Sequence, residues 1–256
     1  MGTALNALDN MVSQNQAKGP AIRSFMSYLS ANTTAATTTS GYTSGQRFPD
    51  TITVQSVGAG VSGGYVTGCE LWSSRTVCCV IALETTLGTL TVSGNSFAGG
   101  SAMPTKTVAG TSLTTATLIP VIVVTTALTA TTPILTITYT DQDGNTGQTA
   151  TMTLPTNPVI NSAFLVAPHL AAGDTGVRAV TGLSISTGSA GTLRAFGLLP
   201  IVLGFVAANV AILMPSPLAT SLPMFLCEAN EVIAVYNFGT ALTSQIRADL
   251  TFVAEN

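Results

Sequence analysis

Apolar and polar residues trade places with two different periods along this chain. Before residue 31 the apolar positions recur at helical spacing. Leu5, Leu8, Met11 and Val12 form one stripe. Ile22, Phe25, Met26 and Leu29 form a second, at i, i+3, i+4 and i+7. Thr3 is placed to cap the first segment. Gly19-Pro20 breaks it, and Pro20 suits the first position of a second helix. The spacing therefore predicts two short amphipathic helices within residues 1–31. Neither is long enough to build a core, so both need a surface to pack on.

Residues 32–47 (NTTAATTTSGYTSGQR) are low in complexity, made largely of Thr, Ala, Ser and Gly, and read as a linker. From Phe48 onward the period falls to two. The clearest element is a hairpin. Ile134–Thr140 (ILTITYT) and Gln148–Leu154 (QTATMTL) flank the turn Asp141–Gly147. Leu135, Ile137 and Tyr139 share one face; Ala150, Met152 and Leu154 share the matching one; the opposite faces are mostly Thr. That alternation describes an antiparallel sheet buried on one side, with Asp-Gly and Asn145 supplying left-handed positions at the tip. Further strands are expected at Thr51–Val57, Leu71-Trp72, Val77–Leu83, Leu87–Val92, Thr117–Thr126, Gly182–Thr187, Gly191–Leu198, Glu231–Asn237 and Gln245–Val253, with a loop from Gly94 to Thr105. Short strands punctuated by turn residues predict a mainly β body over residues 48–256, an antiparallel sandwich or barrel of jelly-roll or immunoglobulin-like type. A split near residue 110 into two β subdomains is the alternative.

One stretch follows neither period. Ala195 to Met214 (AFGLLPIVLGFVAANVAILM) carries no charge. Two readings stand: buried strands, Leu193–Leu199 and Ile201–Met214, broken at Pro200 and near Ala208-Asn209; or a span across a bilayer. The opening residues MGTALNALDN lack a basic region, and Asp9 interrupts any apolar run, so no secretory signal is expected.

Charge changes the picture most. Asp, Glu, Lys and Arg make up only 7% of residues, against about 25% in an ordinary soluble domain, and the net charge is −3. Threonine fills much of the polar quota. The hydrophobic fraction of 46% excludes ordinary disorder, and eight basic residues give no footprint for nucleic acid. Four cysteines are too few for a disulfide scaffold. A surface this neutral favours association, so the chain is expected inside a larger assembly.

Candidate chemistry is sparse. The single histidine, His169, has no G-x-S-x-G motif beside it. Cys69, Cys78, Cys79 and Cys227 lack metal-ligand spacing and read as buried thiols. Asp141, Asp143 and Asn145 mimic the start of a calcium loop, but Thr146 stands where Gly belongs and Met152 where the twelfth-position Glu belongs. The glycines of Gly58–Gly64 lack the Lys and Ser/Thr of a phosphate loop. Glu70, Glu84, Asp174, Glu228, Glu231 and Asp249 read as isolated carboxylates, with a local pair between Asp174 and Arg178. No catalytic, metal or cofactor-binding residue is expected, and the protein is expected not to be an enzyme.

Ala172–Val180 (AGDTGVRAV), followed by Leu183-Ser-Ile-Ser186 and preceded by the Asp-Gly hairpin, resembles a loop-then-strand phrase in structural proteins of tailed bacteriophages. The resemblance spans Leu135–Ser186. It implies a β-rich head protein, either a decoration (cement) protein or a minor capsid component, with no cofactor. On that reading the partners are further copies of itself and a major capsid protein. It would lie in the virion after assembly in the host cytoplasm, without direct nucleic-acid contact. From their two apolar stripes, Leu5, Leu8, Met11, Val12, Ile22, Phe25, Met26 and Leu29 are expected to be assembly contacts; the alternative is that the arm folds back on its own β body. Two other classes stay open: a membrane-associated virion protein using residues 195–214, and a tail or fibre receptor-binding β module.

Overall fold

A computed structural model describes residues 22–27, 44–47, 52–53, 63–73, 77–99, 106–108, 111–113, 119–206, 210–214, 227–228, 232–238 and 246–255. The described chain is mainly antiparallel β. Its strands are β1 (Ile22–Ser27), β2 (Ser44–Arg47), β3 (Ile52–Thr53), β4 (Gly63–Ser73), β5 (Val77–Thr91), β6 (Ser96–Gly99), β7 (Lys106–Val108), β8 (Thr111–Leu113), β9 (Ile119–Thr129), β10 (Ile134–Asp141), β11 (Gln148–Thr153), β12 (Ser162–Leu165), β13 (Val177–Ile185), β14 (Ala190–Val206), β15 (Val210–Met214), β16 (Cys227–Glu228), β17 (Val232–Asn237) and β18 (Ile246–Glu255).

The largest sheet closes on itself. Its order is β3-β17-β2-β12-β9-β14-β5-β6, and β17 also pairs with β5. The ring β17-β2-β12-β9-β14-β5 is thus a small antiparallel barrel, in which side chains fill the interior. Closure works because β5 is long enough to serve two neighbours along one edge. Cys79–Glu84 pair with β17, and Gly88–Thr91 pair with β6, while β14 runs along the other edge. Val80, Ala82, Val121, Val123, Ala163, Phe196, Leu198, Ala234 and Tyr236 make the interior. Their sequence neighbours Ile81, Ile122, Val124, Ile233 and Val235 point the other way and are buried too. Burial on both faces is why β9 and β14 read as continuous apolar runs.

The smaller sheet β11-β10-β13 holds the expected hairpin, in register Leu135↔Met152 and Ile137↔Ala150. Leu135, Ile137, Tyr139, Ala150, Met152, Val177, Val180, Leu183 and Ile185 are buried on one face, whereas Thr149, Thr151, Thr153 and Ser184 are exposed on the other. The tip departs from expectation in one detail. Gly144 and Gly147 have positive φ, 93° and 76°, and Asn145 does not; its side chain works as a hydrogen-bond donor instead.

A third sheet, β1-β18-β4-β15 with β16 on β4, continues the barrel's longest ladder. The β14–β5 pairing ends at Val206↔Val77, and the β15–β4 pairing resumes at Val210↔Ser73. Residues 195–206 and 210–214 are strand. Among the described residues no helix is long and apolar enough to cross a membrane. The helical-span reading of Ala195–Met214 is corrected accordingly. So is the expected break at Pro200: β14 runs through it, and a register shift between Pro200 and Val202 absorbs the missing N–H donor. The separately expected strands Val77–Leu83 and Leu87–Val92 are one strand, β5, which ends at Thr91, and part of the expected Gly94–Thr105 loop is β6.

The second arm helix is corrected as well. Ile22–Ser27, inside its expected range, is a strand paired with β18 from Ile22↔Val253 to Ser27↔Ala248. In six residues, i/i+3/i+4 spacing does not exclude an extended chain, and a preformed neighbouring strand offers backbone partners that an isolated helical turn lacks. The first arm segment lies outside the described residues. The last four residues of the expected linker, Ser44–Arg47, form β2 within the barrel wall.

Candidate functional site

Two polar clusters and one sheet edge are the candidate features. The first lies inside the barrel. Glu84, on β5, has a side chain only 4% exposed. The Arg47 guanidinium, at the end of β2, grips it from both sides: Nε donates to Oε2 at 2.6 Å and Nη2 to Oε1 at 3.0 Å. The Tyr236 hydroxyl on β17 donates to the same Oε2 at 2.6 Å. Arg47 also lies over the Phe196 ring, 5.6 Å from its centroid, and Tyr236 stacks on Phe238. Gly45 makes room for this stack, because a Cβ there would fall 2.2 Å from the Phe238 ring. Burial works to lower the Arg47 pKa, but the Glu84 carboxylate outweighs it, and Arg47 stands above its ordinary value. Burial and then the Glu84 charge push the Tyr236 phenol well above its usual range. Both carboxylate oxygens thus accept hydrogen bonds, and the group ties β2, β5 and β17 together.

The second feature joins the resemblance segment to the hairpin. Tyr139 donates to Asp174 Oδ2 at 2.5 Å and accepts from the Ala171 N–H at 2.9 Å. Gln142 Oε1 accepts from the Thr175 and Gly176 N–H groups. Burial, with Asp174 next, raises the Tyr139 pKa. The Asp174–Arg178 pair expected from spacing is replaced by this bond to Tyr139. At the tip, Asp141 accepts from the N–H of Asp143, the N–H of Asn145 and the Asn145 side-chain amide. Burial acts to raise its pKa, but these donors prevail and hold it below the ordinary value. The residues that mimic a calcium loop therefore spend their oxygens on the turn itself. Among the described residues no group of three or more His, Cys, Asp or Glu is placed to hold a metal ion. His169 sits in a short 3-10 turn, Ala167–His169, and burial lowers its pKa.

The third feature is the sheet edge. Of the expected assembly residues, Ile22, Phe25 and Met26 fall on β1, opposite Val253, Leu250 and Asp249 of β18. Leu5, Leu8, Met11, Val12 and Leu29 lie outside the described residues. β1 ends the order of its sheet.

Sequence reasoning missed the barrel lock. It read Glu84 as isolated, yet its partners stand 37 and 152 residues away along the chain. The one available signal was a lone acid, Glu84, ending the apolar run Val80–Leu83, since a charge beside buried positions demands a partner. No family model, no curated protein and no solved structure matches this chain.

Proposed function

We propose that this chain is a non-enzymatic virion structural protein, a capsid decoration or minor capsid subunit that stabilises a shell through contacts between copies and with a major capsid protein. The observation that carries this reading is how the few charges are spent. Where side chains are described, Arg47 and Glu84 neutralise each other inside the barrel, Asp141 is turned into its own loop, and Asp174 accepts from Tyr139. Asp143, Arg178 and Arg194 remain exposed, on a surface otherwise rich in threonine. Such a surface has little charge repulsion to keep copies apart. The resemblance of Ala172–Val180 to a phrase in phage structural proteins points to the same reading from the sequence. A jelly-roll or immunoglobulin-like connectivity of the body belongs to this proposal too.

Quantitative mass spectrometry of purified particles tests it. A copy number matching shell positions is expected. Absence of the chain from particles, or its recovery in the membrane fraction alone, overturns the reading.

A further inference from the structure

We infer that β1 is an exchangeable strand: in the assembled protein, Ile22–Ser27 of one copy completes the β18 edge of a second copy. The inference deepens the assembly role proposed above and rests on it. β18 is fixed independently of β1, because its other edge pairs with β4 along its length, from Ile246↔Ser73 to Glu255↔Gly63. Without β1 the body would present β18 as a bare ten-residue edge. An edge of that kind is a template for a further strand. The strand that fits it is known, in sequence and in register, from the pairing itself: Ile22↔Val253, Phe25↔Leu250, Ser27↔Ala248.

The only strand partner of β1 among the described residues is β18. The next described strand along the chain is β2, held by the Arg47–Glu84 lock and by Gly45 beneath Phe238. Residues 28–43 join the two, sixteen residues without proline. That length spans at most about 55 Å, enough to reach an adjacent subunit. Exchange keeps every β1–β18 ladder bond and adds only a second chain, so it costs little beyond association. In a shell, where copies are held side by side, the effective concentration of the neighbour's edge offsets that cost.

Paired cysteines test the route. Ser24 and Thr251 are register partners, at a spacing a disulfide bridges. The full chain carrying S24C and T251C together is assembled, oxidised, and run on a denaturing gel without reductant. The 24–251 linkage is then identified by peptide mass spectrometry, with each single variant and the unaltered chain as controls for the native cysteines. Most chains are expected in covalent multimers. Co-assembly of an S24C chain with a separately tagged T251C chain is expected to give a covalent heterodimer. A linkage confined to single chains, or no 24–251 linkage at all, overturns strand exchange. Because the readout is the linkage and not particle content, it separates failure of exchange from failure of the virion assignment.

Discussion

The barrel and the hairpin sheet solve the same problem in opposite ways. Both are antiparallel and both bury a dense apolar face. The β11-β10-β13 sheet buries one face and leaves the other to threonine, so β11 alternates buried and exposed along its length. The barrel strand β9 is buried on both faces from Pro120 to Val124. The sheet keeps its charges at the loop end, where Asp141 and Asp174 meet backbone and phenol donors. The barrel takes a carboxylate and a guanidinium into its interior and satisfies them there. One-sided burial leaves an open face that takes polar residues freely; in the barrel the charged side chains Arg47 and Glu84 are taken in as a matched pair.

This contrast is open to test. The largest effect is expected from Ile137→Asp, which puts a charge on the sheet's buried face with no partner. An unpaired buried charge costs several kcal/mol against a total stability of about 5–15, so circular dichroism should find no cooperative thermal transition. A folded variant would show that the sheet, like the barrel, accommodates charge.

Arg47→Met comes next. It strands Glu84 in the barrel and is expected to cost about 3–5 kcal/mol in urea unfolding. The double change Arg47→Met with Glu84→Met should recover much of that loss, since two apolar side chains leave no orphan charge. A double variant as unstable as the sum of the two single ones would mean that the lock acts through something other than charge pairing.

Tyr236→Phe removes one donor from Glu84 and keeps the ion pair, for an expected loss of about 1–3 kcal/mol. Its pH dependence is the sharper readout. The Tyr236 pKa is raised in the folded state above its ordinary 10.0. Between those two values the unfolded chain has lost the proton that the folded chain keeps. This stabilisation is full below about pH 10 and declines as pH rises above it. Wild type should therefore lose stability at alkaline pH more steeply than Tyr236→Phe. Equal slopes in the two proteins would place the alkaline transition elsewhere.

The smallest effects separate the two kinds of strand directly. Thr151→Val, on the open face of β11, is expected to change stability by less than about 0.5 kcal/mol. Val124→Thr, on β9, buries a new hydroxyl and is expected to cost about 1–3 kcal/mol. Similar values for both would erase the distinction between one-sided and two-sided burial.

Legibility followed the same divide. The hairpin Ile134–Leu154, its buried set and its turn were readable because alternation is local: each residue's face follows from its neighbour's. The expected strands at Thr117–Thr126, Gly191–Leu198, Glu231–Asn237 and Gln245–Val253 lie within β9, β14, β17 and β18 but for a residue or two at their ends. The strand at Ile22–Ser27 was hidden, since its partner β18 lies at the other end of the chain. So was the continuity of β14 through Pro200, which depends on a bulge against β5.

What the sequence determined by itself is the β character of the body, the sidedness of the hairpin and the scarcity of charge, all set by residue type and near spacing. Tertiary structure alone decided that six strands close into a ring and that Glu84 meets Arg47 and Tyr236 inside it. It also decided that Tyr139 takes Asp174 from Arg178, and that β1 ends a sheet instead of forming a helix. These outcomes depend on pairings between distant segments. Such a pairing forms where the burial and hydrogen bonds it gains exceed the entropy of closing the loop between them, a balance that no local pattern encodes.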